Sequence, residues 1–282
     1  MAEFGYYRPN TLDEALQILA QPGGTILSGG TDFFPSLGER PVTGTVIDIS
    51  NVASMRGIVS TAHEHRIGGL TTWSDVIASP LPSSFDALKS AAREIGGIQI
   101  QNRGTVAGNL CNASPAADSV PPLLALDAEV ELVSERSIRR VSLAKFIVGN
   151  RKTVRRPDEI LAAVIVPRTI DDGKSCFLKL GARRYLVISI AMVAFVLQTD
   201  ESGSIMEARV AVGSCSATAQ RLGVLERELV GVAATVGIGG LVRRDHLSSL
   251  APIDDVRATA GYRMDAVVTL VSRALDACVR SC

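Results

Sequence analysis

Apolar residues recur at helical spacing in TLDEALQILA, where Leu12, Ala15, Leu16 and Leu19 fall on one face. Thr11 and Glu14 form a capping-box pattern at its start. The runs GTIL and TVIDIS read as short buried strands, so the first sixty residues predict a small α/β unit. RIGGL predicts a further strand, TTWSDVIAS a helix capped at Thr72 with Asp75 three residues on, and SSFDALKSAAREI a helix stopped by Gly96 and Gly97. AEVELVS alternates like a strand, RRVSLAKFIVG reads as a strand plus a short helix, and EILAAVIVP as a strand closed by Pro167. The polar segment PRTIDDGKS has turn chemistry and predicts a domain boundary. Beyond it FLKLGARR, ISIAMVAFVL and IMEARVAVGS predict three strands in succession, an antiparallel sheet. TAQRLGVLERELVG, VAATVGIGGLVRRDHL and DVRATAGYRMDAVVTLVSRALDACV all carry apolar residues at helical spacing.

One stretch breaks the pattern. Gly96 to Asp127 is polar and glycine-bearing, with little regular periodicity, and predicts a long loop without secondary structure of its own. Such loops are uncommon in compact domains and are usually functional. Its TVAGN segment puts small residues around Ala107 and Gly108, so that the backbone could approach a ligand and offer N–H groups. Asn109, Asn112, Ser114 and Asp118 add amide, hydroxyl and carboxylate groups at short spacing. That chemistry suits a phosphate-bearing, hydroxyl-rich ligand such as a dinucleotide; an irregular surface loop is the alternative. A second glycine pair, in Gly29-Gly30-Thr31-Asp32, ends the first long strand. Amides gather at such strand ends, yet the segment is neither GxGxxG nor a Walker loop, and taken alone it reads as a simple tight turn before it reads as a ligand site.

Composition narrows the class. Of 282 residues 46% are apolar and 21% charged, with 29 basic against 29 acidic, so nucleic acid is a poor partner. Aromatics at 4% also argue against a base-stacking platform. The first residues lack the charge and apolar run of a signal peptide, and VISIAMVAFVL is too short to span a bilayer as a helix. Five cysteines are scattered, with no CxxC pair, which indicates neither a disulfide framework nor a zinc or iron–sulfur site and fits a cytoplasmic protein. His63 and His65 flank a glutamate before a strand and read as surface histidines; with His246 they share no motif with a cysteine or acidic cluster. No serine or cysteine nucleophile arrangement is recognisable. Hard chemistry would then belong to a cofactor. Lys179, Arg183 and Arg184 read either as a solvated basic turn or as a positive lining for a phosphate or an anionic flavin. Met192 and Phe195 read as core.

These motifs line up end to end with one family. The chain resembles the FAD-binding (medium) subunit of molybdenum hydroxylases, the group containing xanthine dehydrogenase and carbon monoxide dehydrogenase. SGGTDFFPSL resembles the family's first pyrophosphate loop, and NRGTVAGNLCNASPAADSVPPLLALDA its second, more specific one. The resemblance implies an α+β fold. A two-subdomain FAD-binding region of the vanillyl-alcohol-oxidase-like (PCMH) type, residues 1–57 and 58–170, would precede a C-terminal domain, 171–282, with a three-stranded antiparallel sheet and helices. It implies that Leu27, Ser28, Gly29, Gly30, Thr31 and Asp32, with Thr105, Gly108 and Asn109, hold the FAD pyrophosphate region. Asn112, Ser114 and Asp118 would lie along the ribityl and flavin side, Leu161 on the adenine, Lys179 near the isoalloxazine, and Ile188 over the flavin face. FAD would be noncovalent, since neither glycine loop holds a histidine. Molybdopterin would lie on a large partner subunit and 2Fe–2S clusters on a small one, with NAD, a quinone or oxygen as acceptor. Two departures are visible. Ala107 stands where the family commonly has glycine, which asks for a small loop adjustment, and Tyr185-Leu186-Val187 lack the acidic residues of the xanthine dehydrogenase members. A free-standing FAD oxidoreductase and a noncatalytic assembly protein that kept the fold are the other readings.

Overall fold

A computed structural model describes residues 5–21 and 23–280. The first unit is β1 (Gly5–Tyr7), α1 (Leu12–Leu19), β2 (Gly24–Leu27), α2 (Phe33–Leu37) and β3 (Thr45–Asp48), its strands all parallel in the order β1-β3-β2. The Thr11 hydroxyl accepts the Glu14 N–H at 3.2 Å, and the Glu14 carboxylate takes the Asn10 N–H at 2.8 Å. Leu16, Leu19 and Ile47 then close a small core against Met55, Leu70 and Ala162. Strand β1 has only three residues, too few for any periodicity to announce it; the Tyr6 hydroxyl donates to Asp48 at 2.6 Å.

The second unit starts with β4 (Ile58–Ser60), β5 (Glu64–Gly68), α3 (Trp73–Ala78) and α4 (Asp86–Glu94). Thr72 and Asp75 make a reciprocal capping box on α3. Next come α5 (Ile98–Gln101), α6 (Val106–Asn112), α7 (Val120–Ala125), β6 (Glu129–Val133), β7 (Ile138–Ser142), α8 (Leu143–Phe146), β8 (Ile147–Gly149), β9 (Lys152–Thr153) and β10 (Ile160–Pro167). The segment from Gly96 to Asp127 is therefore not a structureless loop. It folds as three helices of four, seven and six residues. Each is shorter than the window over which helical periodicity shows, which is why the pattern looked irregular.

Five strands form one sheet in the order β4-β5-β10-β6-β7, with every pair antiparallel. Central β10 is buried along nearly its whole length, as its unbroken apolar run requires. Over Ala163 and Ile165 a charge ladder crosses the sheet: Arg66 pairs with Glu131 at 2.9 Å, and Arg140 with Glu64 at 2.7 Å.

The third unit is a four-stranded antiparallel sheet of β11 (Lys174–Leu180), β12 (Ala191–Thr199), β13 (Ile205–Gly213) and a two-residue edge strand β14 (Gln220–Arg221), with α9 (Gly223–Leu229) and α10 (Ala260–Arg280). The fourth strand adds to the three expected. On β12, Met192, Ala194 and Val196 face the core of the second unit, while Ala191, Val193, Phe195 and Leu197 face α10 and α9. Burial on both faces explains the continuous apolar run. Two helical expectations fail here. VAATVGIGGLVRRDHL contains only the short 3-10 turns Ile238–Leu241 and Arg244–Leu247. Gly237 has φ +94°, and Gly239 lies against the Ser272 carbonyl with no space for a side chain. The last helix begins at Ala260 rather than near Asp255, because the Asp255 carboxylate accepts the N–H groups of Arg257 and Ala258 and turns the chain first. No described helix is long and apolar enough to cross a membrane.

Candidate functional site

Strand β2 runs out at Leu27, and the five residues Ser28 to Asp32 carry the chain to α2. Gly30 turns at φ +76°, where a side chain would be strained. Gly29 packs so tightly on the Arg103 carbonyl that an added methyl would overlap it. Among the described residues nothing accepts the backbone N–H groups of Gly29, Gly30, Thr31 or Asp32. Four consecutive amides without a protein acceptor line one open surface, and buried or partly buried N–H groups call for a partner.

The second glycine segment sits opposite. The Thr105 hydroxyl caps α6 by accepting the Gly108 N–H at 3.1 Å, and lies 3.1 Å from the Ser28 hydroxyl. Gly108 has no room for a side chain between those two oxygens. The expectation that this segment offers its amides does not hold. Val106 N–H donates to Thr71, Ala107 to Gly69, Gly108 to the Thr105 hydroxyl and Asn109 to the Thr105 carbonyl. Those bonds start α6 and fasten it to the β5–α3 junction. Ala107 needs no loop adjustment: it lies in α6, outside the positive-φ residues, with its methyl facing Gly69.

Between the two segments lies a cleft of about 400 Å³, a volume typical of small-molecule sites. Leu27, Ser28, Gly29, Gly30, Thr31, Asp32, Thr105, Gly108, Asn109, Asn112 and Leu161 all line it. Residues the sequence reading passed over line it too: Phe33, Trp73, Ile95 and Ile100 supply apolar surface, and Arg151 and Arg155 positive charge. The signal for the arginines was the basic run NRKTVRR, which folds as the β8–β9 hairpin and its exit. Cys111 also lines the cleft, and burial pushes its thiol up to about 11, so it is neutral near pH 7 and offers no thiolate there.

Four candidate residues stand apart from this lining. The Ser114 hydroxyl accepts the Ala116 N–H at 3.2 Å and shapes the turn before α7. Asp118 accepts from Lys179 Nζ at 2.7 Å and from the Ser189 hydroxyl at 2.5 Å, and joins the second unit to the third. Both side chains are below 10% exposed, at 8% for Asp118 and 7% for Lys179. Burial pushes the Asp118 carboxyl above its ordinary value, against the pull of the Lys179 ammonium and the Ser189 hydroxyl. Lys179 borders a separate depression with Glu94, Arg183, Arg184 and Val187. Arg183 is exposed, as a solvated turn would have it, and its guanidinium donates to the carbonyls of Tyr185 and Leu186, fixing a turn on which Ile188 is 53% exposed.

Of the two histidines expected at the surface, His65 departs from expectation. His63 is exposed, but His65 is 2% exposed, its Nδ1 2.7 Å from the Ser60 hydroxyl and its Nε2 3.0 Å from Asp171. It pins the β4–β5 hairpin to the connector before β11, away from the cleft lining. His246 is buried and takes the Arg243 N–H at 3.1 Å. Among the described residues no group of three or more histidine, cysteine or acidic side chains could hold a metal.

A glycine cradle whose amides have no acceptor among the described residues, beside an apolar wall, suits a dinucleotide diphosphate, and Arg151 and Arg155 add positive charge to the same lining. Comparison with known proteins names the group. The family described as the FAD binding domain in molybdopterin dehydrogenase matches residues 2–169, and the CO dehydrogenase flavoprotein C-terminal domain matches residues 177–278. The chain belongs to the FAD-binding subunits of the xanthine dehydrogenase and carbon monoxide dehydrogenase family. It is 30% identical to the xanthine dehydrogenase FAD-binding subunit of Escherichia coli O157:H7, across 97% of this chain and 95% of that one. It is 34% identical to the nicotinate dehydrogenase FAD-subunit of Eubacterium barkeri over 72% of this chain and 71% of the relative. The structure of a carbon monoxide dehydrogenase from Hydrogenophaga pseudoflava superposes with a TM-score of 0.89 at 27% identity, covering 99% of this chain and 98% of that one. Membership makes the chain an FAD-binding oxidoreductase component with a mixed α/β fold.

Proposed function

We propose that this chain is the electron-transfer flavoprotein of a cytoplasmic multi-subunit molybdenum hydroxylase. It receives electrons from 2Fe–2S clusters on a small partner subunit and passes them to an acceptor such as NAD, a quinone or oxygen. Substrate oxidation would take place at molybdopterin on a large partner. The observation that carries the reading is the row of four amides, Gly29 to Asp32, which have no acceptor among the described residues and line one cleft together with Arg151 and Arg155. Noncovalently bound FAD supplies two-electron chemistry that can be entered one electron at a time; the side chains supply its seat.

In that seat the first glycine segment donates N–H groups to pyrophosphate oxygens. Thr105 and Gly108 contribute by bringing Ser28 and Asn109 close, because the Gly108 amide and the Thr105 hydroxyl are already engaged. Leu161 lies under the adenine. Asn112, Ser114 and Asp118 follow the ribityl chain, Lys179 lies toward the isoalloxazine, and Ile188 covers its face. We take residues 1–57 and 58–170 as the two FAD-binding subdomains and 171–282 as the third domain.

The test is a visible absorption spectrum of the purified chain, before and after incubation with FAD and desalting. A two-band flavin spectrum is expected to survive desalting and to be released intact by denaturation. Absence of retained flavin, both in the chain alone and in a complex co-expressed with its neighbouring subunits, overturns the reading.

A further inference from the structure

We propose that Arg151 is a positioning residue of the FAD cleft: it holds the Asn112 side chain so that the amide NH2, not the oxygen, faces the cofactor. The proposal rests on the FAD reading above. Arg151 stands in the two-residue turn between β8 and β9, at φ +57°. Its backbone N–H donates at 2.9 Å to the carbonyl of Ala113, which closes the C-terminus of α6 at φ 48°. The same residue reaches the neighbouring position with its side chain, donating from the guanidinium to Asn112 Oδ1. Arg151 and Asn112 both line the cleft.

Chemistry then fixes the amide. A guanidinium is a donor only, so the half of Asn112 it engages must be the oxygen. The half left over is an NH2 with two donors, and such a group demands an acceptor. A dinucleotide flavin offers phosphate, hydroxyl and carbonyl oxygens along its whole length. Without the guanidinium the amide has no such bias and can rotate its oxygen toward those same oxygens, which repels them. Arg155, by contrast, donates to the carbonyls of Arg156 and Glu159 and holds its own turn, so it cannot substitute.

The experiment is FAD titration of the full-length chain by flavin fluorescence, with Arg151→Ala, Asn112→Ala, the double variant, Asn112→Asp and Arg151→Lys. Either alanine alone is expected to raise Kd about tenfold, the value of one charge-assisted hydrogen bond. The double variant is expected to match Asn112→Ala within about twofold, since Arg151 acts through Asn112. Asn112→Asp keeps a partner for the guanidinium but loses the NH2, and is expected to bind as weakly as Asn112→Ala. Arg151→Lys retains a donor and is expected to recover part of the loss, which a purely structural role would not show.

Losses that multiply, to about a hundredfold in the double variant, would show Arg151 meeting the cofactor itself and overturn the proposal. So would an Arg151→Ala variant with unchanged Kd. Melting temperatures of the FAD-free variants within about 2 °C of the parent separate positioning from folding. Failure of the parent to take up FAD, both alone and in a complex co-expressed with its neighbouring subunits, removes the functional reading and this proposal together; uptake by the parent with multiplying losses removes only the proposal.

Discussion

In the first glycine segment the N–H groups of Gly29, Gly30, Thr31 and Asp32 find no acceptor among the described residues, whereas at the second the amides of Val106, Ala107, Gly108 and Asn109 each donate to a protein oxygen. As sequence the two stretches look like the same device, small residues flanked by short polar side chains. As structure they do opposite things. The second uses its amides to start α6 and to bond α6 to Gly69 and Thr71, so it is a scaffold that aims Asn109 and Asn112 outward. The first is held in place from outside, by the backbone of Arg103 and Gly104 against Gly29, and its amides are left for a ligand. Small residues thus mark close approach in both, but of backbone to backbone in one and of helix to loop in the other.

Gly29→Ala should break the arrangement most. Its methyl cannot be seated against the Arg103 carbonyl, so the two segments must separate. A stability loss of about 1–3 kcal/mol is expected from overpacking alone, with FAD affinity lowered by more than about tenfold as the amides lose their alignment. Thermal melts and FAD titration measure the two. Gly240→Ala is the control, since none of the described residues lies within 4 Å of an added methyl and its φ is not positive; both readings should stay at the parent values. Unchanged FAD binding in Gly29→Ala would move the phosphate seat away from the first segment.

Thr105→Val tests the scaffold side and should act more weakly. It keeps the shape, removes the cap of α6 and leaves the Gly108 N–H without its acceptor. A loss of about 1 kcal/mol in the FAD-free chain is expected, as for other caps. The fall in FAD affinity should be smaller than for Gly29→Ala. A large affinity loss without a stability loss would mean that the second segment touches the ligand through Thr105, reversing the comparison.

Much of the frame was readable beforehand because the periodicities are long. The alternation in AEVELVS became β6, and the two-sided apolar run of β12 became the wall between two cores. Elements shorter than one period of evidence were not readable: β1 has three residues, and α5 to α7 are four to seven long. The glycines of GIGGLV lie within an apolar pattern that fits a helix, yet Gly239 is needed for contact with Ser272. The site divides the same way. Glycine pairs flag close approach locally, so both loops were visible. Which amides remain unused depends on Gly69 and Thr71, more than thirty residues upstream of α6, and no local pattern carries that. Asp118 and Lys179 are 61 residues apart, and their pairing exists only once two sheets have met. Arg151 was hidden inside a basic run that resembles any solvated turn.

Ser28→Ala sharpens the comparison with the smallest effect. The Ser28 and Thr105 hydroxyls, 3.1 Å apart, are the side-chain bond between the two segments, and the position is only partly buried. Alanine keeps the Cβ and removes one hydroxyl, while Thr105 still holds the Gly108 N–H. Because water can reach the vacated partner, the expected cost is below about 1 kcal/mol, with FAD affinity changed by less than about threefold. If the segments are held together by backbone packing at Gly29, this ordering, Gly29→Ala well above Ser28→Ala, must follow. Should Ser28→Ala instead cost as much as Gly29→Ala in both melts and titrations, the hydroxyl pair is the joint. The close packing of Gly29 on the Arg103 carbonyl would then follow from that joint rather than make it.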